Sequence, residues 1–289
     1  MWFWYAIGSA FVSAISIILN KKALKNINAS LVSWSLFAFS IPILAYPALK
    51  DGWPKLNAIF WIAITASVVS FAYAKTLTLK SLKGSLMSEI VPLAFFMVLF
   101  NYLFGLIFLS ESLRLIPIIG LIFIIAGGYF LKVEEAKEDI LKPFKLLLTN
   151  KGSRAYLLAM IIMPLTSIFD KYGLKNIQPV NQSFLLLLEN FITTVLIGFY
   201  MTKNDHNWVK NLKVNFKTLF INGLVYAGVA LLFLYGITTG AVALVSGVKK
   251  LEVFFVLIFG WLLFGDKLKR GVWIGSLIML VGVTLIKLG

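Results

Sequence analysis

The sequence predicts an all-α integral membrane protein of ten transmembrane helices, arranged as two inverted five-helix repeats. Three observations carry that prediction: an apolar composition, ten apolar runs of spanning length, and a register of matching residues between the two halves. Of 289 residues, 60% are hydrophobic and 13% are charged, a balance that does not suit a chain folding in water. At about 20 residues per spanning helix, ten helices take about 200 positions. Short connections remain, with no room for a separate soluble domain.

The first five runs fall at roughly 2–26, 30–49, 57–80, 84–109 and 115–132, and charged or turn residues bound each of them. The first opens at Trp2 with no basic stretch ahead of it and no small-residue cleavage site, so it is expected to stay as a helix rather than be cut as a signal. The second five runs fall at roughly 154–176, 181–202, 216–236, 240–264 and 271–288. Between the halves, the polar interval from Val133 to Ser153 carries Glu134, Glu135, Lys137, Glu138 and Asp139, followed by an apolar and basic stretch from Ile140 to Leu148. That stretch is read either as a short helix lying on the membrane surface or as a solvated linker. The expected organisation is a first repeat at 1–133, a connection at 134–153 and a second repeat at 154–289.

Shifting the chain by 150 positions lays Asn20-Lys21-Lys22-Ala23-Leu24-Lys25-Asn26 over Asp170-Lys171-Tyr172-Gly173-Leu174-Lys175-Asn176, with four of seven residues identical. A shift of 155 matches Phe100, Phe104, Gly105, Leu113, Gly120 and Gly127 with Phe255, Phe259, Gly260, Leu268, Gly275 and Gly282, and sets Glu111 over Asp266. Charged and glycine positions in one register point to a duplicated unit. With five spans per unit, the second copy enters the membrane from the opposite side, an arrangement suited to alternating access.

The excess of 27 basic over 12 acidic residues gives +15. In a membrane chain this is read as lysines flanking the spans at anionic head groups, not as a nucleic-acid surface. The absence of Cys excludes disulfides and thiolate chemistry, and the single His206 offers no histidine pair for a metal or a triad. No phosphate-binding glycine loop of the Walker type is present. No cofactor, metal site or catalytic residue is expected, and the protein is not expected to be an enzyme.

Charges inside a span are costly, so each is a candidate for a solute-binding or coupling role. These are Lys75 in the third run, Glu89 in the fourth, Glu189 in the seventh, and Lys249, Lys250 and Glu252 in the ninth. The alternative for each is a buried structural pair or a lysine reaching the head groups. In the ninth helix Lys249 shares a face with Glu252, three residues on, and Lys250 does not. Lys250 then needs Glu89, Glu189, water or an anionic solute. Asp170 is read first as a neighbour pair with Lys171 and second as a cavity carboxylate. Tyr73, Tyr226 and Tyr235 are placed to offer a hydroxyl to a cavity. Trp2, Trp4, Trp34, Trp53, Trp61, Trp208 and Trp273 suit the interface belt. Gly271 and Gly275 make a small-residue spacing for close packing, within a monomer first and across a homodimer second.

The end of each half, Phe108-Leu109-Ser110-Glu111-Ser112-Leu113 and Leu263-Phe264-Gly265-Asp266-Lys267-Leu268, resembles the motif that precedes the last helix of each repeat in the drug/metabolite transporter superfamily, EamA type. Asp266 stands where that motif has Glu, and Leu251-Glu252-Val253 stands where the family often has Leu-Glu-Pro. Lys249-Lys250 is similar to the basic pair in the ninth helix of organophosphate/phosphate antiporters. The resemblance implies a multi-pass protein of the cell membrane that exports or exchanges a small metabolite, amino acid or drug, with a small-molecule solute and membrane lipids as its partners. Lys249-Lys250 adds the expectation that the solute is anionic. On sidedness the readings diverge. Lys and Arg concentrate in the odd-numbered loops, which argues for both termini outside, whereas the resemblance implies both in the cytoplasm.

Overall fold

The computed structural model describes residues 1–84, 91–136, 145, 150–205, 207–264 and 270–289. In chain order the helices are α1 (Trp2–Ala23), α2 (Ala29–Leu49), α3 (Ala58–Gly84), α4 (Met97–Leu109), α5 (Leu115–Ala136) and α6 (Lys151–Lys175), then α7 (Gln182–Asn204), the short α8 (Trp208–Val214), α9 (Phe216–Thr239), α10 (Val242–Lys249), α11 (Glu252–Phe264) and α12 (Arg270–Leu288). Among the described residues, seven helices are long and apolar enough to cross a membrane, and two shorter apolar ones lie at Ala94–Leu109 and Leu115–Leu131. Each expected run contains helix. The ninth run differs from expectation in being broken. A 3₁₀ turn at Val91–Phe96 leads into α4, and α10 and α11 are separated at Lys250–Leu251. Residues 137–144 and 146–149, which include most of the expected surface helix, lie outside the described residues, as do Glu89, His206 and Asp266.

Helix starts follow local chemistry. The Asn28 side chain accepts from the Ser30 N–H, Asn150 from those of Gly152 and Ser153, and Asn181 from that of Phe184. Each fills donors that a helix N-terminus leaves open. In lipid, apolar side chains gain little by leaving one oily surface for another, so small residues that allow close approach decide which faces pack. The buried face of α1 is Ala6, Ser9, Ala10, Ser13, Ala14 and Ser16, and it packs on α9, with Ser9 Oγ donating to the Val229 carbonyl. Large apolar residues such as Ile62, Phe199, Leu262 and Leu277 face outward.

Helices α5 and α12 make the most extensive contact. A Cβ on Gly120 would meet the Gly282 carbonyl at 2.6 Å, and one on Gly127 would meet that of Gly275 at 2.7 Å. As position rises along α5 it falls along α12, so the two run antiparallel with backbones touching. Gly275 is therefore used inside the monomer. Elsewhere α3 packs on α6 as α1 packs on α9, and α2 packs on α7. At one end of the molecule the connections are tied together by a two-stranded antiparallel pairing, Lys55 with Gln178 and Leu56 with Ile177, and by Asn57 Nδ2 donating to Asn176 Oδ1 at 2.8 Å.

Candidate functional site: a cavity of mixed charge

A cavity of about 290 Å³ lies among α2, α3, α4, α6, α7, α9, α10 and α11, so both halves of the chain contribute walls. One wall is acidic. Asp170 of α6 and Glu189 of α7 face it with Ser67 of α3, and the Ser67 hydroxyl donates to Asp170 Oδ1 at 2.5 Å. Asp170 is buried, and the neighbour pairing expected for it with Lys171 does not form, because successive helical side chains diverge by about 100°. Tyr226 of α9 lines the same region.

Another part of the lining is the break between α10 and α11. The Lys250 N–H bonds to the Gly247 carbonyl and that of Leu251 to the Val248 carbonyl, each at 3.0 Å. These i to i−3 bonds tighten the turn and end α10. Gly247 lets that last turn approach α5, since a Cβ there would meet Leu121 at 2.6 Å. Because the helix is not continuous, the spacing argument that paired Lys249 with Glu252 fails. Both lysines line the cavity. Lys249 Nζ lies 4.9 Å from the centre of the Phe233 ring, and Lys250 Nζ lies 5.7 Å from that of Phe95. Neither has a carboxylate within 4 Å among the described residues. Glu252 instead accepts from Ser13 Oγ of α1 at 2.5 Å.

Three buried polar atoms of the lining have no hydrogen-bond partner among the described residues: Asn101 Oδ1, Thr166 Oγ1 and Glu189 Oε1. An unpaired buried polar atom is expensive, so their convergence on one space marks a place built for polar contents. Of the residues singled out in the sequence, Glu189, Lys249, Lys250, Glu252 and Tyr226 come together here. Tyr73 and Lys75 are exposed on α3, and Tyr235 stacks on Tyr5 away from the cavity. Ser67, Asn101 and Thr166 were not singled out. Their signal was an isolated hydroxyl or amide within an apolar run, which a survey of charges passes over.

Above one end of the cavity lies a second charged cluster. Lys171, next in sequence to Asp170, donates to Glu111 and to the Gly240 carbonyl. Glu111 also accepts from the Val242 N–H at 2.8 Å and so caps α10. The chain delivers Glu111 there through Ser110, whose left-handed backbone ends α4. Tyr172 adds a hydrogen bond to the Phe108 carbonyl.

A multi-pass apolar helical body with a cavity lined by charges of both signs defines an integral membrane protein. The EamA-like transporter family model matches residues 1–132 and 150–288, and the chain belongs to that family. A solved structure titled only as that of a protein is 14% identical with a TM-score of 0.72, covering 98% of this chain and 95% of its own, and shares the fold. No curated protein matches.

Proposed function

We propose that the protein is a secondary transporter in the cell membrane that moves a small amino-acid-like solute by alternating access to the central cavity. One observation carries this reading: Lys249 and Lys250, with no carboxylate within 4 Å among the described residues, line the same cavity as Asp170 and Glu189. A solute bearing a carboxylate and an ammonium group satisfies lysines and acids alike, with its carboxylate at Lys250. A phosphate-ester solute is the second reading, favoured by the adjacent lysines. Against it, the three carboxyls in the same space repel a dianion.

Alternating access is the natural use of two inverted five-helix repeats, 1–133 and 154–289, joined by 134–153. Support comes from α5 and α12. The 155-residue shift carries Gly120 to Gly275 and Gly127 to Gly282, so it exchanges the contact Gly120–Gly282 with the contact Gly127–Gly275. An axis in the membrane plane produces such an antiparallel, self-exchanging contact; an axis along the membrane normal would make the pair parallel. With that glycine face consumed internally, the working unit is the monomer.

The test is solute counterflow in liposomes holding the pure protein, with leucine, its N-acetyl derivative and its amide as probes. Lys250→Gln is expected to slow the two carboxylate-bearing probes by on the order of 10-fold, the value of one charged hydrogen bond of about 1.5 kcal/mol, and to spare the amide. Equal loss for all three, or no loss, rejects the assignment of Lys250.

A further inference from the structure

The acidic wall has a feature that solute recognition alone does not require. Asp170 and Glu189 come from consecutive helices, and each carboxyl lies within hydrogen-bonding reach of the other and of the Ser67 hydroxyl. Ser67 has one proton to donate and directs it to Asp170. Two ionised carboxylates in contact repel, whereas one proton between them converts the contact into an O–H···O hydrogen bond.

The other groups facing the pair do not remove the need for that proton. From the α10–α11 turn come Lys249, Lys250 and Glu252, and from α9 the Tyr226 phenol; α2 supplies Phe37, α3 adds Phe71 and α4 supplies Asn101, all uncharged. The lysines lie against phenylalanine rings and Glu252 is held by Ser13. Three carboxyls against two ammonium groups leave one negative charge, which one proton cancels, and an apolar body favours the neutral site. Among the described residues, Glu189 Oε1 and the Oδ1 of Asn101, a cavity residue only 5% exposed, have no donor. An ammonium group brings three.

We infer that Asp170 and Glu189 form a proton-binding site, which holds one proton in the solute-free protein and releases it when a solute ammonium binds against Glu189 and Asn101. The solute keeps its own N–H bonds, the carboxyl proton leaves to water, and the net charge on that wall is unchanged. Solute and proton then exchange at one place, so that a proton gradient drives solute the other way. This rests on the transporter reading above.

Infrared spectroscopy of the reconstituted full chain at neutral pH tests it. The native protein is expected to show a protonated-carboxyl C=O band that both Asp170→Asn and Glu189→Gln abolish, each leaving a lone ionised acid. Either acid variant that remains monodisperse decides the point. Saturating leucine is expected to remove the band and N-acetylleucine to leave it. A native protein without the band, a band that survives both acid substitutions, or one unchanged during leucine counterflow overturns the inference. Counterflow without the band leaves the transporter reading standing, and a band that behaves as expected without counterflow of any probe leaves the proton site and removes the transporter.

Discussion

The molecule buries charge in two places and treats it in opposite ways. At the sealed end, Lys171 and Glu111 satisfy each other, the Gly240 carbonyl and the α10 N-terminus. In the cavity, two lysines lie against phenylalanine rings with no carboxylate within 4 Å among the described residues, and three buried atoms have no hydrogen-bond partner among those residues. Completed hydrogen bonding fixes one geometry, whereas incomplete hydrogen bonding leaves work for a solute. Asp170 and Lys171 are neighbours in sequence and belong one to each region, so α6 joins the two.

The largest effect is expected from breaking the closed cluster. Lys171→Met strands the Glu111 carboxylate in a site where its side chain is 13% exposed and uncaps α10 in part. The loss expected for halving a buried pair is about 3–5 kcal/mol, read as a lower midpoint of thermal unfolding in detergent. Adding Glu111→Gln to it, which removes the stranded charge, is expected to recover a large part of the loss. If the double variant is as unstable as the single, the pair is not what holds this end.

Next in size is the backbone contact of α5 with α12. Gly127→Ala places a methyl against the Gly275 carbonyl and the Met279 N–H, at 2.7 and 2.8 Å, so the helices must part. A cost of about 1–3 kcal/mol is expected. The exchange-related change Gly282→Ala, directed at the Gly120 carbonyl at 2.6 Å, is expected to cost about the same. Clearly unequal costs would weaken the case for internal symmetry at this contact.

How far the sequence reveals each region follows from the kind of signal involved. The spanning helices were legible because lipid demands long apolar runs, and the register of Gly120, Gly127, Gly275 and Gly282 disclosed the duplicated unit before any contact was known. Lys249, Lys250 and Glu189 were legible as charges where charge is costly. The break at Lys250 was not, because Val248-Lys249-Lys250-Leu251 contains neither Pro nor Gly and the turn depends on how Gly247 seats against α5. Nor was the partner of Lys171. Glu111 lies 60 residues away, and only the tertiary fold brings α4's left-handed end over α6. Spacing arguments reach one helical turn, which is why the local pairs Lys249–Glu252 and Asp170–Lys171 were expected and the distant ones were missed.

The smallest expected effect is also the one that separates the two regions most cleanly. Asn101 is 5% exposed, its Oδ1 has no donor, and it lines the cavity beside Met97. Replacing a half-satisfied buried amide with an apolar group of similar shape removes a desolvation penalty as well as an acceptor, so Asn101→Leu is expected to be neutral or to stabilise by about 1 kcal/mol. The equivalent change in a completed cluster would destabilise. If Asn101 receives a donor from the solute, the same variant is expected to slow leucine counterflow by several-fold, about 1 kcal/mol on the bound state. A stabilised protein with impaired flux places Asn101 among the groups kept unsatisfied for a solute. A destabilised protein with normal flux would return it to the scaffold and remove the distinction drawn between the cavity and the sealed end.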